Sequence, residues 1–132
     1  MKIRVFAVLA ALLSLLLAGV LAWEFRWRAA HDLLKPQAPS PDGAFVAEVR
    51  SVPEAQPLAP GASGVYVRGE REYLRALRPQ LVFVGACEEV SARWFGARRL
   101  VIECDLRAGE PRLLRDFVGG VAIELVVNRR FA

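Results

Sequence analysis

The longest apolar stretch of the chain lies close to its N-terminus. Residues 5–23 form a run of nineteen uncharged residues in which Ser14 is the only polar side chain. At about 1.5 Å of rise per residue this run forms a helix of roughly 28 Å, close to the ~30 Å hydrocarbon thickness of a bilayer. The Ser14 hydroxyl can bond to a backbone carbonyl one turn earlier, so it does not oppose insertion. The pattern therefore predicts a transmembrane helix.

Basic residues on either side of this run set the predicted orientation. Lys2 and Arg4 precede it, and Arg26 and Arg28 follow it, so the side chains alone are balanced. The α-amino group adds a third positive charge before the run, and cytoplasmic flanks carry the excess of positive charge. We expect a single-pass protein of the inner membrane whose C-terminal domain is periplasmic.

A cleaved signal peptide is the alternative to a permanent anchor. Residues 20–22 include the small side chains that a signal peptidase accepts, but the apolar run exceeds the ~7–15 residues of an ordinary signal. Three aromatic residues at its end, Trp23, Phe25 and Trp27, are typical of side chains at the membrane surface. We favour an anchor, with its flanks, over residues 1–28.

The periodic pattern disappears between residues 29 and 40. This segment contains two prolines and is predicted to be a linker in which His31 is solvated. Residues 41–130 then form the predicted domain.

Apolar and polar residues begin to alternate directly after a turn motif. Residues 40–43 (SPDG) combine a proline that presets φ, an aspartate that can bond its own backbone and a glycine that accepts positive φ. The next positions alternate in character: Phe45, Ala47 and Val49 against Val46, Glu48 and Arg50. This pattern predicts a strand with one face in the core and one face in water.

The middle of the chain is predicted to change structure every few residues. The predicted elements are a proline-rich loop at 51–63, a strand at 65–67, a short amphipathic helix at 70–78, a strand covered on both faces at 81–86 and a polar turn at Glu88 and Glu89. Adjacent glutamates on a strand would point to opposite faces, so they cannot act on one substrate atom.

Two hairpins complete the predicted domain. In the first, a three-residue loop at 96–98 sets Trp94 opposite Leu100, Ala92 opposite Ile102 and Val90 opposite Cys104, which makes Trp94 a core residue. In the second, which follows a turn at 107–112, Gly119 and Gly120 join strands at 113–118 and 121–127. Its predicted pairs are Val118 with Val121, Leu114 with Leu125, and Arg115 with Glu124. A helix from Pro111 that ends at Gly119 is the alternative.

The sequence therefore predicts a mainly β protein. Its N-terminal transmembrane helix precedes a small antiparallel β domain of about six or seven strands, and the pattern allows one short helix. Sixteen basic and fourteen acidic side chains follow the helix. That balance is too mild for a nucleic-acid partner.

Cys87 and Cys104 are the only cysteines. With Val90 opposite Cys104, Cys87 lies three residues beyond the facing position, about 10 Å along an extended strand. A disulfide needs Cα atoms within roughly 4.4–6.8 Å, so only a sharp turn or bulge at the two glutamates permits one. We expect an unpaired pair of cysteines, although the predicted compartment favours disulfides.

The sequence offers no catalytic, cofactor-binding or metal-binding residues. The only histidine, His31, lies in the predicted linker, which excludes a Ser-His-Asp triad, and no metal-ligand spacing or phosphate loop is present. A carboxylate pair of Asp105 with Glu103 or Asp116 is the remaining route to catalysis.

Three functional hypotheses follow. The first is a non-enzymatic accessory domain, anchored in the membrane, that binds an envelope protein or another envelope component. The second is a structural or assembly protein that pairs through an exposed edge strand. The third is a carboxylate-dependent hydrolase. An apolar groove would favour the first, an uncovered edge strand the second and converging acids the third.

The motifs occur in a recognisable order. They are Ser40-Pro41-Asp42-Gly43, Val82-Phe83, the arm from Val90 to Trp94, and Leu100-Val101-Ile102. This order resembles an uncharacterised bacterial domain-of-unknown-function family of small exported proteins with a membrane or lipid anchor. That family shows S-P-D-G, a variable loop, V-F and a V-x-W / L-x-I hairpin; here the hairpin loop lacks its Asp. The resemblance implies a small antiparallel β domain and brings no catalytic residues.

Overall fold

In the computed structural model, which describes residues 2–57, 59–76 and 79–129, the apolar stretch lies within one helix, α1 (Lys2–Ala30). The 29 residues of α1 span about 44 Å. The Ser14 hydroxyl donates a hydrogen bond to the carbonyl of Ala10 at 2.8 Å, as the sequence predicts. α1 is long and apolar enough to cross a membrane.

A mostly antiparallel sheet follows the helix. The strands are β1 (Ala38–Pro39), β2 (Phe45–Ser51), β3 (Ser63–Gly69), β4 (Leu81–Trp94), β5 (Arg99–Leu113), β6 (Phe117–Val118) and β7 (Val121–Arg129). Over the described residues these seven strands form one sheet in the order β1-β2-β3-β4-β5-β7-β6. Only β5 and β7 are parallel neighbours. The predicted fold class is confirmed.

The turn before β2 forms as predicted. The Asp42 carboxylate accepts hydrogen bonds from the Ser40 hydroxyl at 2.7 Å and from the Ala44 backbone at 3.1 Å. Together with a third from Arg98, they lower the pKa of Asp42 to about 2. Gly43 has a φ of 73°, a conformation that favours glycine.

The β4–β5 hairpin has the predicted register, with Trp94 opposite Leu100 and Val90 opposite Cys104. Both strands are longer than predicted, because β4 continues through Glu88 and Glu89 and β5 continues through residues 107–112. The two predicted turns are therefore wrong. Bulges between Val84 and Glu89 take their place and bend β4 without ending it.

The end of the chain pairs differently from the prediction. Gly119 and Gly120 do form a tight turn that pairs Val118 with Val121, but this hairpin ends at the next pair of residues. β7 then runs parallel to β5, so Leu125 lies opposite Ile102, and Glu124 binds Arg99 at 2.9 Å. The predicted pairs of Leu114 with Leu125 and Arg115 with Glu124 are wrong. The alternative helix from Pro111 is also wrong, because Pro111 lies in β5.

The connections contain little helix. In the loop at 51–63, the described residues hold a short 3-10 helix, Pro53–Ala55. The predicted helix at 70–78 is absent from its described part, residues 70–76, where Arg75 and Ala76 lie in a turn; Leu77 and Arg78 lie outside the described residues.

The sheet bends around one hydrophobic core. β4 begins beside β3, yet Trp94 at its end donates its indole N–H to the carbonyl of Ala38 in β1 at 2.8 Å. Trp94 packs against the core but stays half-buried. The fully buried core members include Val65, Val82, Phe83, Leu100, Ile102, Cys104 and Val121.

Candidate functional site

The contacts of α1 define two ends of the sheet. Glu24 accepts a hydrogen bond from the backbone of Arg75, whose side chain binds Glu48 in β2. Eight residues further along, the carbonyl of Asp32 accepts a hydrogen bond from the backbone of Ser51, at the end of β2. Helix residues close to the apolar stretch are thus linked to Glu48, whereas residues further from it contact the end of β2 at Ser51. We call the end of the sheet at Ser51 the far end and the opposite end the near end.

An apolar groove of about 340 Å³ lies at the far end. One wall is the loop after β2, and the other is formed by the bent parts of β4 and β5. Its lining residues are mostly small and apolar: Val52, Ala55, Ala59, Leu81, Val84, Gly85, Ala86, Ala108 and Gly109, with Glu54, Glu110 and Arg112 as the charged members. Such a groove suits a ligand that has an apolar side chain and, beside it, groups that can interact with both acidic and basic residues.

Local sequence features keep this groove open. A Cβ atom at Gly85 would lie 3.0 Å from the ring of Phe83, so a side chain there would displace the groove floor. Gly109 adopts a φ of 73° where β5 bends. The Arg107 guanidinium donates to the carbonyl of Pro60 and ties the loop wall to β5.

A disulfide joins β4 and β5 beside the groove. Cys87 and Cys104 are bonded, with a Cα–Cα distance of 5.5 Å, so the expectation of unpaired cysteines is wrong. Cys87 lies opposite Leu106 because the register shifts between Cys87 and Glu89. This bulge brings the two cysteines close enough for the bond.

A buried ion cluster lies on the helix side of β2. The Glu48 side chain is only 1% exposed and binds Arg50 at 2.7 Å, Arg68 at 2.7 Å and Arg75 at 3.3 Å. Burial opposes the charge of Glu48, but hydrogen bonds from Arg68 and Arg50 outweigh it and hold the pKa of this carboxyl below its ordinary value. The predicted wet face of β2 is therefore wrong: paired charges occupy a covered face.

The end of α1 covers that face. The Trp27 ring stacks on His31 at 4.3 Å and meets Tyr66 edge-on at 5.5 Å. His31 is buried, with Nδ1 2.8 Å from the carbonyl of Trp27 and Nε2 2.6 Å from the Glu54 carboxylate. Burial, followed by the charge of Glu54, raises the pKa of the Tyr66 phenol. The predictions of a solvated His31 and of a Trp27 ring at the membrane surface are wrong, since both side chains pack on the sheet.

Of the carboxylates proposed for catalysis, Glu103 and Asp105 lie close together and Asp116 lies apart from them. Glu103 and Asp105 share one face of β5, where the Asn128 amide donates to them at 2.8 and 3.0 Å. The backbone carbonyl of Asp116 accepts a hydrogen bond from the backbone of Ile123. Ile123 lies five residues before Asn128 on β7, so Asp116 is ~16 Å from the Asn128 amide that binds the other two carboxylates. No group of three His, Cys, Asp or Glu side chains suited to a metal occurs in the described part of the chain.

Sequence reasoning missed the groove and the ion cluster. Both depend on contacts between segments far apart in the chain, such as loop 53–62 with β5 or Glu48 with Arg68 and Arg75. The local signals were Gly85, Gly109 and the prolines of the loop after β2. These residues predict bends in the chain, but not which segments the bends bring together.

Comparison with known proteins finds no match to a family model, a curated protein or a solved structure. The resemblance drawn from the sequence motifs stays a prediction.

Proposed function

We propose that this chain is a membrane-anchored, non-enzymatic binding protein whose far-end groove takes an apolar segment of an envelope protein. In this proposal α1 crosses the inner membrane and the sheet lies in the periplasm. The observation that carries the proposal is the groove of about 340 Å³ at the end of the sheet that points away from the apolar part of α1. A partner can reach this position without competing with the bilayer.

The chemistry of the groove supports this choice of partner. Its floor is apolar, and burying a side chain of the size of Val or Leu stabilises a complex by about 1.5–3 kcal/mol. Glu54, Glu110 and Arg112 supply charged groups around this surface. These groups favour a peptide segment, which has backbone donors and acceptors beside its apolar side chains.

The orientation of the anchor is supported by the basic side chains that precede the apolar run. Lys2 and Arg4 precede the apolar run, Glu24 offsets part of the positive charge that follows it, and positive flanks stay in the cytoplasm. Alkaline phosphatase fused after Ala132 should then be active, and the protein should stay in the membrane fraction. An inactive fusion would reverse the orientation, and a soluble form that begins at Trp23 would replace the anchor with a cleaved signal.

The binding proposal is tested by blocking the groove. Ala108 is an exposed groove residue, so Ala108→Phe should fill the groove with little effect on folding. Ala122→Phe places the same side chain at an exposed position of β7 and serves as the matched control. Affinity capture from envelope extract should recover a partner with the wild type and the control, but not with Ala108→Phe. A partner recovered equally by all three proteins would contradict the groove as the binding site.

Assembly through β7 is a second candidate function. β6 pairs only with Val121 and Ala122, while β7 continues to Arg129. Along the rest of this edge no further strand lies among the residues that the structure describes, and such edges can pair with another chain. Val126→Lys should abolish chemical cross-linking between copies if this edge assembles, and unchanged cross-linking would remove the candidate.

A further inference from the structure

Three aromatic side chains project into solvent from different connections of the sheet. Tyr73 is 70% exposed, Phe95 59% and Phe117 63%. Tyr73 follows β3, Phe95 lies in the β4–β5 turn and Phe117 begins β6. Single exposed aromatics are unremarkable, but a group of them at one end of a domain marks a surface that contacts something.

All three connections belong to the near end of the sheet. Phe45, the first residue of β2, pairs with Gly69, which leads into the segment of Tyr73. The Arg98 guanidinium, in the turn that contains Phe95, lies 4.9 Å from the centre of the Phe45 ring. A Cβ atom on Gly119, two residues after Phe117, would lie 3.3 Å from the same ring. Phe45 thus marks the common end at which the three exposed aromatic residues lie.

The near end lies at the level where α1 leaves its apolar stretch. Glu24 directly follows that stretch, and its carboxylate accepts hydrogen bonds from the backbones of Arg75 at 2.9 Å and Ala76 at 2.6 Å. Arg28, one turn later, donates to the carbonyl of Tyr73 at 2.9 Å. The segment that carries Tyr73 is therefore fixed beside the helix between Glu24 and Arg28, within two turns of Trp23.

We propose that the near end of the sheet rests on the bilayer surface, with Tyr73, Phe95 and Phe117 among the lipid headgroups. This inference rests on the proposed membrane anchor and adds a second, separate contact with the membrane. Tyr is suited to this position because its hydroxyl stays in water while its ring enters the interface. Phe rings are suited to it because they bury apolar area at the boundary between headgroups and acyl chains. The contact fixes the orientation of the domain, so the far-end groove faces away from the membrane.

The charges of the near end indicate whether its contact with the membrane is electrostatic or apolar. Asp42, Glu70, Arg71 and Glu72 line one surface depression, and Arg98 binds Asp42 at 2.8 Å. Because acidic and basic groups are mixed, an anionic membrane gains little over a neutral one. The aromatic rings, rather than electrostatic attraction, supply the binding energy.

Photo-crosslinking of the full chain in phosphatidylcholine nanodiscs tests this proposal. Benzoylphenylalanine replaces Tyr73 or Phe117, with Phe25 in α1 as the positive control and Glu88, exposed at the far-end bend, as the negative control. Positions 25, 73 and 117 should give several-fold more lipid adduct than position 88. Nanodiscs that contain phosphatidylglycerol should give the same order and similar yields.

The outcomes separate this proposal from the anchor on which it rests. Adducts at position 25 without adducts at 73 and 117 would overturn the resting surface and keep the anchor. No adducts at 25 would overturn both. Equal yields of lipid adduct at positions 88 and 73 would show that the domain has no fixed orientation on the membrane. Adducts at position 73 that form only with phosphatidylglycerol would show an electrostatic contact. Either result would overturn the proposal. Cross-links from 73 or 117 to protein instead of lipid would assign the aromatic surface to a protein partner.

Discussion

The carboxylate of Glu24 accepts a hydrogen bond from the backbone N–H of Ala76 at 2.6 Å, across 52 residues of the chain. Its other oxygen accepts from the backbone of Arg75 at 2.9 Å and from the side chain of Arg28 at 2.8 Å. A glutamate that directly follows the apolar stretch thus binds the connection between β3 and β4 of the sheet domain. The domain is fixed to its helix by these contacts, and the segment after the helix does not act as a free tether.

Replacing Glu24 should loosen this junction. Glu24→Ala leaves two backbone N–H groups without their acceptor, and hydrogen bonds to charged groups contribute about 1.5–3 kcal/mol each. We expect trypsin to cleave the full-length protein after Arg28 several-fold faster in this variant. Glu88→Ala removes an exposed glutamate and should leave the rate unchanged. An unchanged rate in Glu24→Ala would mean that the remaining helix contacts are sufficient.

Glu48 should make the protein sensitive to acid. Its pKa in the folded state lies below its ordinary value of 4.5. The stabilisation from its charge is therefore complete above about pH 4.5 and is lost as the pH falls through the lower, folded value. Thermal melting of the full-length protein should show a steep loss of stability below pH 4.5.

Glu48→Gln should remove most of that pH dependence. Removing one partner of a buried ion pair costs about 3–5 kcal/mol, so this variant should also melt at a lower temperature at pH 7. Glu89→Gln, at an exposed position of β4, is the matched control. If Glu48→Gln and the wild type lost stability in parallel on acidification, another carboxyl would be responsible.

The sequence was informative where a pattern is local. The register of Trp94 with Leu100 followed from alternation and loop length alone, because a shift of one residue would expose every apolar side chain of that hairpin. The same alternation gave a wrong prediction for Glu48 and Arg50, which were expected to face water but are buried. Charged positions on a strand normally face water, and nothing near them in sequence shows that Arg68, Arg75 and the end of α1 cover them.

The disulfide should stabilise the bend between β4 and β5. The cysteines are 17 residues apart, and closing a loop of about this size stabilises a protein by ~3 kcal/mol. Cys87→Ala/Cys104→Ala and the reduced wild type should melt at similar, lower temperatures, and a reducing agent should not affect the variant. Two reactive thiols in the denatured, unreduced wild type would contradict the bond.

The parallel pairing of β7 shows the limit of local reasoning in another way. Gly119 and Gly120 form the predicted turn, and a tight turn usually joins two strands of equal length. Here β6 has only two residues, since the chain before it hydrogen-bonds to Val82 in β4. β7 then pairs with the free edge of β5. This pairing depends on how the long β4–β5 hairpin bends, which no local sequence pattern predicts.

Gly119 should be more sensitive to substitution than its neighbour Gly120. Both have positive φ values, 56° and 87°, so a side chain at either position strains the turn by about 1–2 kcal/mol. A Cβ at Gly119 would also press on Phe45, 3.3 Å away, whereas no atom lies within 4 Å of a Cβ at Gly120. Gly119→Ala should therefore lower the melting temperature of the full-length protein more than Gly120→Ala does.

A double-mutant cycle separates the contact from the strain of the turn. If the additional loss in Gly119→Ala comes from Phe45, then Phe45→Leu, which replaces the ring with a smaller side chain, should reduce the difference between the two alanine variants. Phe45→Leu should destabilise the protein by itself, because Phe45 packs against the core. Equal effects of Gly119→Ala and Gly120→Ala in both backgrounds would show that β2 and the β6–β7 turn do not meet in solution. The sheet would then be open at the near end.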